Sequence, residues 1–221
     1  RIKFVYQYIC SIRNPMKNLL ILLIFLSSPA LAQRFKAELL SSVVGSQVSG
    51  DNLQGFNKAG FMAGAGVRTF FNEKWSLGFR LVYFQKGSRK PLKGDGTDSA
   101  FYLLRLGYVE MPLMLRYKSE KNFFVEAGPS LGYLLSSYEE DENGPLNLRV
   151  PFYDFDFSLA GSLGYHLNNN LDFLFTYWQS IIPIREHTSG AVYRLNQGQY
   201  SSVISFGLIY TFQKKTEANP E

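Results

Sequence analysis

Residues 153–167, YDFDFSLAGSLGYHL, alternate without a break. Tyr153, Phe155, Phe157, Leu159, Gly161, Leu163, Tyr165 and Leu167 fall on one parity; Asp154, Asp156, Ser158, Ala160, Ser162, Gly164 and His166 fall on the other. A repeat of two is that of a β-strand whose faces meet different surroundings. The apolar parity has aromatics near both ends and aliphatics between them. Strands of soluble sandwiches usually run about five or six residues, whereas a tilted strand crossing a bilayer needs about ten. The stretch therefore predicts a transmembrane strand.

The same pattern recurs over residues 35–44, 59–71, 75–86, 101–117, 123–135, 171–182 and 200–212, which makes eight strands. The connections alternate between long and short, the short ones being 72–74, 118–122 and 168–170. Short turns at one end and longer loops at the other are the plan of an outer-membrane barrel, and an even strand count puts both termini in the periplasm. Phe71, Trp75, Tyr117, Phe123, Tyr165, Phe173 and Phe212 gather near the short turns, where an aromatic girdle belongs. The predicted fold is all-β, an eight-stranded antiparallel up-and-down transmembrane β-barrel.

One strand breaks the pattern. Val109, Met111, Leu113, Leu115 and Tyr117 share the apolar face, and the same register carried backward puts Arg105 on the lipid side. A β-bulge near Gly107 would turn Arg105 inward beside Glu110; alternatively, Arg105 stands above the membrane on a protruding strand. Pro112 brings no N–H to this ladder.

The N-terminus changes what composition means. Residues 16–32, MKNLLILLIFLSSPALA, read as a secretory signal peptide cleaved before Gln33, with 1–15 a translated upstream region. The barrel domain is then 33–212, and 213–221 a polar periplasmic tail. Of the 23 basic residues, Arg1, Lys3, Arg13 and Lys17 leave with the leader, so 19 remain against 18 acids. That balance implies no nucleic-acid partner. Cys10, the only cysteine, leaves too, which removes disulfides, thiol nucleophiles and Cys-ligated zinc from consideration. No apolar run after residue 32 reaches the length of a membrane helix.

The polar parity collects Lys36, Glu38, Arg68, Arg80, Glu110, Arg116, Glu126, Asp154, Asp156, His166 and Asp172. In a lumen as narrow as eight strands allow, charges must be paired. The expected reading is a structural charge network; metal binding or proton handling by carboxylates such as Asp154 and Asp156 is the chemical alternative. His187, with Glu186 and Ser189 nearby, offers loop chemistry only if geometry assembles it. The acidic run 139–142 is expected as a solvated loop, with cation bridging to lipopolysaccharide as the alternative. GDGTD (94–98) lacks calcium-loop spacing. No catalytic residue, cofactor or metal site is predicted.

FQKGSRK (84–90), YVEMPLMLRY (108–117) and FVEAGPSLGYLL (124–135), with GDNLQGFNKAGFMAG (50–64) and ISFGLIYTF (204–212), resemble the PorT-like outer-membrane β-barrel proteins, a Bacteroidetes-type family. The resemblance spans nearly the whole mature chain. It implies a single small barrel in the outer membrane of a Gram-negative cell. A link to gliding and type IX secretion, the setting of the founding member, would follow, with secretion-system proteins as partners. Outer-membrane lipid, lipopolysaccharide and the barrel-insertion machinery are the other expected partners. One departure is that nine polar residues follow Phe212, where many such barrels end on the aromatic.

The functional expectation is a non-enzymatic integral outer-membrane protein with a structural or protein-interaction role. The alternatives are a porin-like small-solute channel and a soluble lipocalin-like ligand carrier. The latter needs apolar residues inside and charges outside, the reverse of this pattern.

Overall fold

Alternating faces build one antiparallel sheet that closes on itself. The computed structural model describes residues 35–50, 53, 55–90, 101–146, 150–187 and 198–212; the expected leader, the segment before it and the 213–221 tail lie outside them. The strands are β1 (Phe35–Ser49), β2 (Lys58–Phe70), β3 (Trp75–Lys90), β4 (Tyr102–Lys118), β5 (Phe123–Asp141), β6 (Gly144–Pro145), β7 (Phe155–His166), β8 (Leu171–Ser180) and β9 (Tyr200–Thr211). Eight of them form the barrel; β6 is a two-residue hairpin partner of the end of β5. Each barrel strand pairs with its neighbours in the chain, and β1 pairs with β9 from Glu38↔Thr211 to Ser49↔Tyr200, so no edge remains. Closure satisfies every strand's backbone internally, as lipid demands.

The apolar parity faces out. Leu39, Val43, Phe79, Leu81, Leu113, Leu115, Leu159, Leu163, Phe206 and Leu208 are all exposed on the barrel wall. The seven aromatics expected near the short turns are exposed there too, with Trp75 against Tyr117 and Phe123 against Tyr165, each pair 5.0 Å between ring centroids. Two short turns use one device. Asn72 Oδ1 accepts from the Lys74 and Trp75 amides, and Asn168 Oδ1 from the Asn170 and Leu171 amides, so the side chain caps amides that the turn leaves unpaired.

The inner face is made passable by glycines opposite large residues. Gly164 pairs with Phe124, and a Cβ on Gly164 would lie 2.0 Å from the Phe124 ring. Gly78 pairs with Arg68, whose guanidinium would sit 2.8 Å from a Cβ there.

Three strands run further than their hydrophobic pattern predicts. β1, β3 and β5 continue to Ser49, Lys90 and Asp141 rather than ending near Val44, Lys86 and Leu135. Above the apolar belt both faces of these strands are polar, so alternation fades while the ladder persists. The expected irregularity at Gly107 is present, but it sits in the partner. The β4–β5 register passes from Gly107↔Ser136 to Tyr108↔Leu134, leaving Leu135 as the extra residue of β5. The parity of β5 flips there, not that of β4. Arg105 consequently stays outward, exposed, with its guanidinium 5.9 Å from the Tyr138 ring centroid. It does not turn in beside Glu110; it stands on the protruding part of β4.

Candidate functional site

The lumen holds the densest chemistry of the molecule. Near the short turns, Glu126 from β5 accepts hydrogen bonds from three arginines: Arg68 at 2.6 Å, Arg80 at 3.0 Å and Arg116 at 2.6 Å. Glu38 from β1 takes the other sides of Arg68 (2.5 Å) and Arg80 (3.2 Å). Arg116 continues to Asp172 at 2.7 Å, and Asp172 meets His166 Nδ1 at 2.6 Å. Three guanidinium groups thus face three carboxylates, brought together from β1, β2, β3, β4, β5 and β8. Fork-shaped Arg–carboxylate pairing suits such a buried cluster.

A second group lies towards the long loops. Lys86 binds Asp156 at 2.7 Å and contacts Glu110, which also accepts from Ser130 at 2.9 Å. Lys86 lies over the Phe84 and Tyr108 rings, at 4.8 and 5.0 Å from their centroids. Phe84 in turn packs edge-on against Trp178 at 5.3 Å. The lumen is therefore not uniformly polar: Leu40, Val44, Met62, Met114, Leu174 and Ile209 are buried in it between the ionic layers.

At the long-loop end the chain after β8 stays bonded between its two neighbours. Ile184 is fully buried. Its amide donates to Gln199 O, its carbonyl accepts from the Tyr153 amide, and the Gln199 amide returns to Arg185 O, each at 2.8 Å. Arg185 grips Glu139 with both terminal nitrogens, at 2.8 and 2.9 Å, donates to Gln199 Oε1 at 2.6 Å, and lies over the Phe152 ring at 4.3 Å. Tyr102 donates to the same Glu139 carboxylate at 2.5 Å. Burial alone would raise the Glu139 pKa, but hydrogen bonds from Arg185 and Tyr102 outweigh it and hold the carboxyl below its usual range.

Of the residues expected in the network, Glu38, Arg68, Arg80, Glu110, Arg116, Glu126, Asp156 and Asp172 lie buried in the lumen, and His166 is half-buried beside Asp172. Lys36 and Asp154 do not join them. Lys36 stands at the short-turn mouth, its ammonium 5.0 Å from the Phe70 ring centroid, because the strand there has run past the ionic layer. Asp154 is exposed, since β7 begins only at Phe155. Lys86, Glu139 and Arg185 were missed as network members. Lys86 was legible on the inner parity of β3, but Glu139 reaches the inside only through the Leu135 bulge.

Among the described residues Glu186 and His187 turn to different partners. Glu186 accepts from the Tyr153 hydroxyl at 3.3 Å, while His187 lies beside Gly50; Ser189 falls outside the described residues. The acidic run is not a loose loop. Glu139 is in the Arg185 pair, Glu140 accepts from Tyr138, and Asp141 caps the Asn143 amide at 2.8 Å in the β5–β6 hairpin. Among the described residues no group of three His, Cys, Asp or Glu is placed to hold a metal. The GDGTD stretch lies outside them.

A closed eight-stranded antiparallel barrel with apolar side chains outside and ion pairs inside is an outer-membrane β-barrel protein. The chain belongs to the family described as "Outer membrane protein beta-barrel domain", whose profile matches residues 31–186. No curated protein matches it. Solved structures similar to it include Ail, the attachment invasion locus protein of Yersinia pestis, in complex with the heparin analogue sucrose octasulfate. That structure has a TM-score of 0.46 and 12% identity, covering 81% of this chain and 99% of that one. Neisserial surface protein A is similar at a TM-score of 0.47 and 15% identity, covering 80% and 97%. OprG of Pseudomonas aeruginosa is similar at 0.37 and 14%, covering 81% and 96%.

Proposed function

We propose that this protein is a filled, non-conducting barrel whose work is done at its two ends rather than through its lumen. The observation that carries this reading is the doubly occupied lumen. An ionic layer spans the barrel near the short turns, a second lies above it, and the buried Arg185–Glu139 pair ties β5 to the chain after β8 at the far end. Such an interior does mechanical work: it makes a narrow barrel rigid and holds its loops in place. The role is structural or interactive and not enzymatic. The short turns and both termini face the periplasm, and the long loops face outward, as the turn lengths suggest. The PorT-like motifs extend the reading to contacts with a secretion assembly, made by the exposed ends.

Two measurements test this. In planar bilayers the purified protein gives no conductance steps; stepwise conductance would overturn the filled-barrel reading and favour a solute channel. In intact cells a membrane-impermeant maleimide labels Asn143→Cys but not Asn169→Cys; the reverse pattern would invert the orientation. Cross-linking through the short turns then captures envelope partners, and recovery of secretion components would support the PorT-like assignment.

A further inference from the structure

Outside the lumen, one surface combines concavity with unbalanced charge. On the outer wall at the long-loop end, two adjoining hollows share Lys58, Gln85, Arg105 and Glu140; Arg89 and Leu103 line the upper one, Tyr83 and Tyr138 the lower. Lys86 also lines the lower hollow but is paired with Asp156 and Glu110; the other three cations face one carboxylate, Glu140, which already accepts from the Tyr138 hydroxyl at 2.9 Å. Among the described residues neither Arg89 nor Arg105 forms an ion pair, and both are exposed. Lys58 is buried, and its ammonium donates to the Ala59 carbonyl at 2.7 Å. Burial, then repulsion from Arg105 and Arg89, lowers its pKa. Among the described residues, Glu140 is the one carboxylate lining the two hollows, which leaves the cluster short of countercharge.

Its height says what would supply one. Tyr83, Val109, Tyr133 and Phe155 pair across four strands and form an apolar and aromatic row of the wall. Rings of this kind sit at the membrane–water boundary. Arg105 is four residues beyond Val109 on β4, about 13 Å along the strand, or about 10 Å above the row once a tilt of about 40° is allowed for. Arg89, six residues beyond Tyr83, stands higher. The groove thus faces sideways into the polar layer over the outer leaflet, continuous with the lipid-facing wall below it.

We infer that Lys58, Arg89 and Arg105 form a binding groove for the phosphate of a phosphorylated glycolipid, the lipid A part of lipopolysaccharide. Two guanidinium groups offer forked donors to phosphate oxygens, and Lys58 adds a point charge from below. The ring of Tyr138, against which Arg105 already lies, and Leu103 flank the site for the sugar. This contact is made by cations directly, not by acids through a bridging metal. The inference rests on the orientation proposed above, which the maleimide experiment tests separately; binding in micelles does not depend on it.

The experiment uses the full chain refolded in detergent micelles, with bis-phosphorylated lipid A as the probe and the same lipid after phosphatase treatment as control. Every variant is first required to keep the heat-dependent gel shift of a folded barrel. The parent binds the phosphorylated lipid about tenfold more tightly than the dephosphorylated one, and the double variant Arg89→Glu/Arg105→Glu loses that preference, as charge-assisted contacts require. Arg89→Lys/Arg105→Lys keeps most of it. Should the double reversal fail to fold, Arg89→Gln alone, at an exposed position, lowers the preference measurably. Equal binding of both lipids, or an unchanged preference in the reversed or Gln variants, would overturn the assignment. Full displacement of the lipid by inorganic phosphate would overturn it in favour of a free-anion site.

Discussion

Glu126 shows how a single carboxylate organises this interior. Three guanidinium groups converge on it, and Glu38 and Asp172 complete the balance from either side. Removing its charge leaves three buried cations with two carboxylates. Breaking a buried pair in this way costs about 3–5 kcal/mol. Glu126→Gln is therefore expected to lower the urea midpoint of unfolding, followed by loss of the fast-migrating unboiled band; an unchanged midpoint would mean that water screens the cluster. Gly164 shows the steric counterpart. A side chain there collides with the Phe124 ring, so Gly164→Leu should cost about 1–3 kcal/mol by overpacking. Phe124→Ala, which removes the ring, should recover part of that loss in the double variant. If the two effects simply add, the close approach is not what demands glycine.

At the scale of elements, the bulge in β5 decides which side chains reach the mouth. Leu135 is the extra residue, and past it Glu139 points inward to Arg185 while Tyr138 and Glu140 point out. Deleting Leu135 should remove the bulge yet leave Glu139 inward, because Ser136 stays opposite Gly107; Glu139→Gln is the change that weakens the pairing with Arg185. Amide exchange at Ile184 and Gln199 should then rise by an order of magnitude or more, as a local opening freed of about 1.5–3 kcal/mol would show. Acid should have a related effect. The Glu139 carboxyl is held below its usual range in the folded chain. Its contribution is therefore fully present above about pH 4.5, the ordinary value, and is lost as pH falls through the lowered folded value. Protection of the Ile184 amide should decline on acidification and not on raising the pH from neutrality. A decline on the alkaline side instead would assign the latch to another group.

This end of the barrel is also where the sequence was least legible. Period-two alternation places most barrel residues on their faces because lipid and lumen differ so sharply. It stops being informative above the belt, where β3 and β5 continue with polar residues on both sides. A bulge then reverses parity with no local residue to announce it, since Leu135 itself looks like one more outward leucine. Strand ends account for the misplacement of Asp154 and Lys36. Which acid meets which arginine is set by register across up to eight strands: Arg68 and Glu126 are 58 positions apart. Composition of one face can require pairing but cannot choose the pairs.

The whole molecule is one closed sheet with an apolar outer wall and a packed, ion-paired interior. Membership of the outer-membrane barrel family and the continuous β1–β9 closure agree on this. The most direct measurement is gel mobility, with and without boiling, of the protein recovered by detergent from fractionated outer membranes. The protein is expected to partition with the outer membrane, and its unboiled form to migrate apart from the boiled one, because a closed barrel resists dodecyl sulfate until heated. Recovery in a soluble fraction with a single mobility, boiled or not, would contradict it, and the apolar wall would then have to be covered by something other than lipid.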